Sequence, residues 1–346
     1  MLDDIRYILF PISDNTTQAA DIILLVDESG SMTMEHVWIP EMVKQLDNSL
    51  MEIGIGVDPR NRFGVIGFGN DCSNELGSGR FFSTKGSDIY VLAENITELT
   101  QGLKIGGKYE DGYSAIASAF QYYTFGDGAK QFILISNEDR DVLSNITRDD
   151  IEHMLRKSDV VLNVVVSENF AAGAMQAFGI DVDRTAYIFD PSLDSLFRSI
   201  DGIGIPVQDS AHGSTNEDYT QLAFLAEGGS WDLSLLQQGN NLLSVIILHI
   251  SVYVIGGQVA RAFTNSFVHA KVVEIQRQME ECFQCFCKAE GPICEHLAGG
   301  SNFSFCVRMP GIGGKGYSLL LLVTSTTSII SFSTPHGNTS GCETGC

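Results

Sequence analysis

The chain has 346 residues, 44% of them hydrophobic, and a formal net charge of -22. That length and apolar content allow a substantial core and exclude a disordered polypeptide. The charge argues against nucleic acid as a partner, because a polyanion is repelled, and favours cations and basic surfaces.

In chain order, the opening MLDDIRYILF has no basic leader and no long apolar core followed by a small-residue cleavage site, so no signal peptide is visible. A mature or truncated start is expected, with 1–19 as an N-terminal segment. Short apolar runs then alternate with helix-like stretches. IILLV from Ile22 precedes EHVWIPEMVKQLDNSLMEI, RFGVIGF from Arg62 precedes DGYSAIASAFQYY, and QFILIS from Gln131 precedes DDIEHMLRKS and VVLNVVV. Continuous β-rich runs separated by amphipathic helices predict an α/β fold, a doubly wound, mostly parallel sheet covered on both faces.

From Glu168 to Glu227 the pattern is irregular, and it returns to helix-like LAFLAEGG and to the closing helix FTNSFVHAKVVEIQRQMEE. The stretch LLSVIILHISVYVIGG at 242–257 falls short of the roughly 20 residues of a spanning helix and has His249 in its middle. It reads as an extra buried strand or an insertion rather than a membrane span. After Glu281 the composition turns rich in Cys, Gly and Ser, predicting a small cysteine-rich tail over 281–346.

Seven of the eight cysteines fall in that tail, at 282, 285, 287, 294, 306, 342 and 346, with Cys72 apart. Asn-x-Ser/Thr sequons stand at Asn15, Asn95, Asn145, Asn302 and Asn338. Dense cysteines beside sequons point to disulfides and a secreted glycoprotein. Zinc on Cys282, Cys285, Cys287 and His296 is the competing use, set aside on the compartment argument.

DESGS, from Asp27 to Ser31, follows the first apolar run directly. In a doubly wound sheet, ligands gather where strands end and helix N-termini point outward. Asp27, Ser29 and Ser31 alternate, so their side chains can converge, and Gly30 is expected to supply a backbone shape that other residues resist. Oxygen donors alone suit a hard cation, Mg, Ca or Mn. A serine or aspartate here also suits an ordinary helix cap. The preceding strand and two acidic loops at the corresponding strand ends favour the cation.

Asp-x-Ser-x-Ser at the end of a first strand resembles the metal-ion-dependent adhesion site of von Willebrand factor type A domains. NRFGVIGFG, GGKYEDGYSAI and QFILISNEDRD extend the resemblance over about residues 20–280, and GGSWDLSLL and SFVHAKVVEI resemble invertebrate extracellular-matrix members more weakly. The resemblance implies further ligands. Glu110, six residues before Ile116, stands where the family has a threonine, and Asn137 stands where it has an aspartate, with Asp139 two residues on. With Asp27 and Glu110 both ionised, a divalent ion is largely neutralised and pulls less on a partner's acid. A Glu110 reaching the ion through water would instead leave a position open.

Other chemistry lacks its motifs. There is no GxxxxGK[ST] phosphate loop, no GxSxG elbow and no HExxH zinc pair. The implied function is a non-enzymatic extracellular adhesion or matrix-type module that binds a protein partner through a divalent cation. The alternatives are an intracellular metal-binding assembly domain of the same fold and, with only Glu110 available as a base, a metal-dependent hydrolase.

Overall fold

The computed structural model describes residues 19–69, 79–106, 109–142, 144–207, 213–237 and 250–288, and three strands within 303–330. These divide into two compact units, one spanning Thr17–Gln278 and one that includes the chain from Met279 onward.

The larger unit is built on a sheet whose centre is parallel. Its first strand β1, Ala20–Asp27, lies parallel to β2, Arg62–Phe68, on one side and to β4, Ala129–Ser136, on the other. The sheet continues through β5, Val161–Val166, to β11, Ser230–Asp232, also parallel, while the two-residue β3, Arg80–Phe81, closes the other edge antiparallel to β2. All eight residues of β1 are buried, which explains why its sequence is an apolar run rather than an alternation. The sequence predicted this mostly parallel α/β sheet, and the structure has it.

Alternate residues of the strands serve opposite faces. Ile23, Leu25, Phe132, Leu134, Leu162 and Val164 form one core with Tyr113, Ile116 and Ala119 of α3, Gly112–Tyr122, Ile151 and Leu155 of α4, Arg148–Lys157, and Leu222 of α5, Gln221–Leu225. On the other face lie α1, Thr33–Glu52, and the part of the long α6, Ile250–Lys288, that belongs to this unit. Trp38 of α1 meets Phe263 and Phe267 of α6 edge-on, at 5.8 Å for both, and its indole N–H donates to Thr264 Oγ1 at 2.9 Å. Asn163 and Gln131, out of phase with Leu162 and Phe132, face α6, where Asn163 donates to Glu274 and Gln131 to Gln278.

Two expectations are corrected. The segment after Glu168, which reads as irregular, forms strands. These are β6, Phe170–Ala172, β7, Met175–Ile180, β8, Ala186–Phe189, β9, Phe197–Ile200, and β10, Gly204–Pro206, all paired antiparallel and joined to the sheet where β7 meets β11. Strands of three to six residues with small residues such as Ala171, Ala172 and Ala177 carry too little period to be read locally. The second correction concerns the strand reading of the apolar stretch at 242–257. Its described part, from Ile250, is helical rather than a strand and is the start of α6, while 242–249 lies outside the described residues. No helix among the described residues is long and apolar enough to cross a membrane.

Beyond Met279, β12, Phe303–Met309, β13, Tyr317–Val323, and β14, Ser328–Ile330, form an antiparallel sheet of their own. The side chains of the eight cysteines lie outside what the structure describes, as do the sequons at Asn15, Asn302 and Asn338.

Candidate cation site

The chain runs from β1 to β2 on one side and later returns to β4 on the other. The carboxyl ends of β1 and β4 therefore flank the switch point where open α/β sheets form their crevices. DESGS leaves the sheet at that point.

Asp27 is fully buried at the end of β1. Its Oδ1 accepts the Ser29 N–H at 2.6 Å, folding the chain into a turn, and its Oδ2 accepts the Ser136 hydroxyl from β4 at 2.9 Å. The Ser29 and Ser31 hydroxyls lie 3.0 Å apart and both donate to Asn137 Oδ1, at 3.4 and 3.0 Å. Four of the residues expected from the sequence are thus joined directly. Glu110, 2% exposed, joins them across Gly69. A Cβ at Gly69 would stand 3.4 Å from both Asp27 Oδ1 and Glu110 Cγ, and φ of +87° there suits only glycine without strain.

The electrostatics match a missing positive charge. Burial pushes the Asp27 pKa up to about 6, against the opposing pull of the Ser29 amide and the Ser136 and Ser29 hydroxyls, with Glu138 adding to the rise. Burial pushes Glu110 further, to about 8, reinforced by Asp27, Glu138 and Asp141. No cationic side chain is among the groups that dominate either value. Among the described residues, no three histidine, cysteine or carboxylate side chains gather as a metal cluster. The oxygens that converge here include the Ser29 and Ser31 hydroxyls and the Asn137 amide oxygen. Oxygen donors, with two carboxylates that have no cationic partner among the described residues, fit a hard divalent cation. Asp27, Ser29, Ser31, Asn137 and Glu110 are the residues that would hold it. There it would supply positive charge and an attachment point for a ligand oxygen.

Asp139 is placed differently. Its carboxylate is turned to the Gly213 turn, where an added Cβ would lie 2.1 Å from Oδ2. The expectation for Gly30 is corrected too, since it has no left-handed φ and a Cβ there would meet nothing within 4 Å. The turn is shaped by the Asp27 carboxylate accepting the Ser29 amide, not by glycine.

Several contributors escape the motif. Ser136 and His36, whose Nε2 lies 2.8 Å from the Asp27 carbonyl oxygen, both hold Asp27. Asp111 and Arg140 form a buried ion pair at 2.7 Å that ties the loop of Glu110 to the loop of Asn137. Asp111 also accepts from the Ser144 and Ser114 hydroxyls, and Arg140 lies 3.8 Å over the Tyr113 ring. Burial alone would raise the Asp111 pKa, but Arg140 and the two serines hold it below its usual value. Position at the end of FILIS could have flagged Ser136. Nothing local signals the pairing of Asp111 with Arg140.

No family model matches the chain, and no curated protein matches it. Solved structures that resemble it include proximal thread matrix protein 1 from the mussel byssus, 18% identical over 43% of this chain and 35% of that one, with a TM-score of 0.30. A form of that mussel protein with a zinc-occupied MIDAS motif is 15% identical over 44% of this chain and 36% of that one, with a TM-score of 0.33. The SpRpn10 VWA domain is 13% identical over 42% of this chain and 74% of that one, with a TM-score of 0.30. The chain thus spans about a third of the length of the mussel protein.

Proposed function

We propose that this chain is a non-catalytic binding module that engages a protein partner through a divalent cation held at the end of β1. The convergence of Asp27, Ser29, Ser31 and Asn137 oxygens beside Glu110, with no cationic side chain paired to either acid among the described residues, carries the reading. Magnesium, calcium or manganese is the expected occupant. The two carboxylates are taken as ligands rather than as an acid and base pair. Calorimetric titration of magnesium, calcium and manganese into wild type and Asp27→Ala is the test. Wild type should bind one of them and the variant should lose most of that binding while keeping its circular dichroism. Unchanged affinity in a folded Asp27→Ala overturns the site.

An extracellular setting is part of the proposal. The two sequon asparagines within the described residues, Asn95 and Asn145, are both exposed, as glycan attachment requires. Oxidised tail cysteines and occupied sequons, read by mass spectrometry on protein from its native source, support this setting. Free thiols with bare asparagines point to the intracellular alternative.

A further inference from the structure

We infer that the surface around the cation site docks a basic protein segment bearing apolar side chains, and disfavours an acidic one. The inference rests on the cation-site reading and names the class of partner.

Charge is the first part. Asp27, Glu110, Glu138 and Asp141 lie close enough for Asp27, Glu138 and Asp141 all to act on Glu110. A divalent cation offsets two of these four carboxylates and leaves two. Glu138 is exposed on the loop after β4, and so is its neighbour Asp139. Nearby acids that have cations of their own are already matched, Asp111 by Arg140 and Glu28 by Arg80. Lys104, exposed on the loop before α3, balances one charge at most. Among the described residues, the face with its cation bound is still negative on balance, so an incoming carboxylate meets repulsion from the rim and a basic side chain meets attraction.

The second part is apolar. The Asp141 N–H donates to the Glu110 carbonyl at 2.8 Å and the Glu110 N–H to Asp141 Oδ2 at 3.2 Å. Tyr109, 40% exposed, precedes Glu110 and Val142, 71% exposed, follows Asp141, so each flanks that pairing. The Gly106 N–H donates to the Glu28 carbonyl at 3.0 Å, setting Ile105, 52% exposed, beside the DESGS turn. Three exposed apolar side chains therefore border the carboxylates, on loops fixed to one another by hydrogen bonds. Apolar side chains ringed by charge characterise a protein-binding surface. The residual negative charge selects a basic occupant.

The test uses two synthetic peptides of equal length and equal leucine and tryptophan content, one with arginine and the other with glutamate at its charged positions. Binding to the whole chain is measured by fluorescence anisotropy in saturating magnesium. The arginine peptide should bind at least about tenfold tighter. Tyr109→Ser with Val142→Ser should weaken it about tenfold, as should Glu138→Gln with Asp139→Asn. Glu52→Gln with Glu94→Gln, which removes the same charge near the other end of α1, should leave binding within about twofold. Equal or tighter binding of the glutamate peptide, no binding of the arginine peptide, or an equal loss from the remote substitutions would each overturn the inference. Magnesium titration on the same samples separates the failures. Absent magnesium binding sinks the cation site itself, whereas intact magnesium binding with the wrong peptide preference sinks only the class of partner.

Discussion

Ser136 shows how much a site residue depends on a neighbour outside the motif, since its hydroxyl links Asp27 to the Glu138 backbone of the next loop. Its hydroxyl holds Asp27 Oδ2 at 2.9 Å in a fully buried setting. Ser136→Ala should cost about 1 kcal/mol of that orientation, roughly fivefold in magnesium affinity by calorimetry. Glu110 has the opposite character, since in the proposed site its charge would neutralise the ion it helps to hold. Glu110→Thr should lower magnesium affinity while improving capture of the glutamate peptide, because one negative charge has left the site. Unchanged values for both would place Glu110 outside it. Away from the site, burial pushes Asp232 at the end of β11 up to about 7 from 3.8, against hydrogen bonds from Ser234, Leu235 and Gln176. Between about pH 4 and pH 7 the native chain then retains a proton that the unfolded chain has released. Asp232 therefore destabilises the fold increasingly as pH rises through that window, with no further change above it. Urea unfolding at about pH 5 and pH 7.5 should show Asp232→Asn raising stability more at the higher pH; an equal effect at both would refute the shift.

At the scale of elements, the loops that carry Glu110 and Asn137 are braced by Asp111 and Arg140. Asp111 is fully buried and the Arg140 side chain only 6% exposed, so Arg140→Ala strands a buried charge. A loss of about 3–5 kcal/mol in chemical denaturation is expected, with magnesium affinity falling in whatever fraction stays folded. A change under about 1 kcal/mol would mean the pair is solvated and the loops are held otherwise. The start of α4 is a separate device. The Thr147 hydroxyl accepts the Asp150 N–H at 3.2 Å while the Asp150 carboxylate accepts the Thr147 N–H at 2.9 Å. Thr147→Ala should cost about 1 kcal/mol without touching the cation. Elements of this kind are partly legible. IILLV and FILIS declare themselves as continuous apolar runs and DDIEHMLRK through its helical period, and β1, β4 and α4 follow. The short strands from β6 to β10 do not, because their pairing depends on partners far along the chain.

For the molecule as a whole, the cation and the fold should be linked. An ion that binds only the native arrangement adds about 2.7 kcal/mol at a hundred times its dissociation constant. Thermal unfolding should therefore shift upward with magnesium and return with a chelator, and Asp27→Ala should abolish the shift. By itself the sequence determined the alternation of buried strands with helices and the position of DESGS at a strand end, because apolar period and turn chemistry are local properties. It also placed only oxygen-bearing side chains, those of Asp27, Ser29 and Ser31, at that strand end. Only the tertiary structure decided the order of the strands, with β1 between β2 and β4, and so brought Ser29 to Asn137 across 108 residues. It also turned Asp139 toward Gly213, paired Asp111 with Arg140, and made the apolar residues from Ile250 onward the start of a helix. Those outcomes depend on which distant surfaces exclude water from one another, and no window of sequence contains both partners.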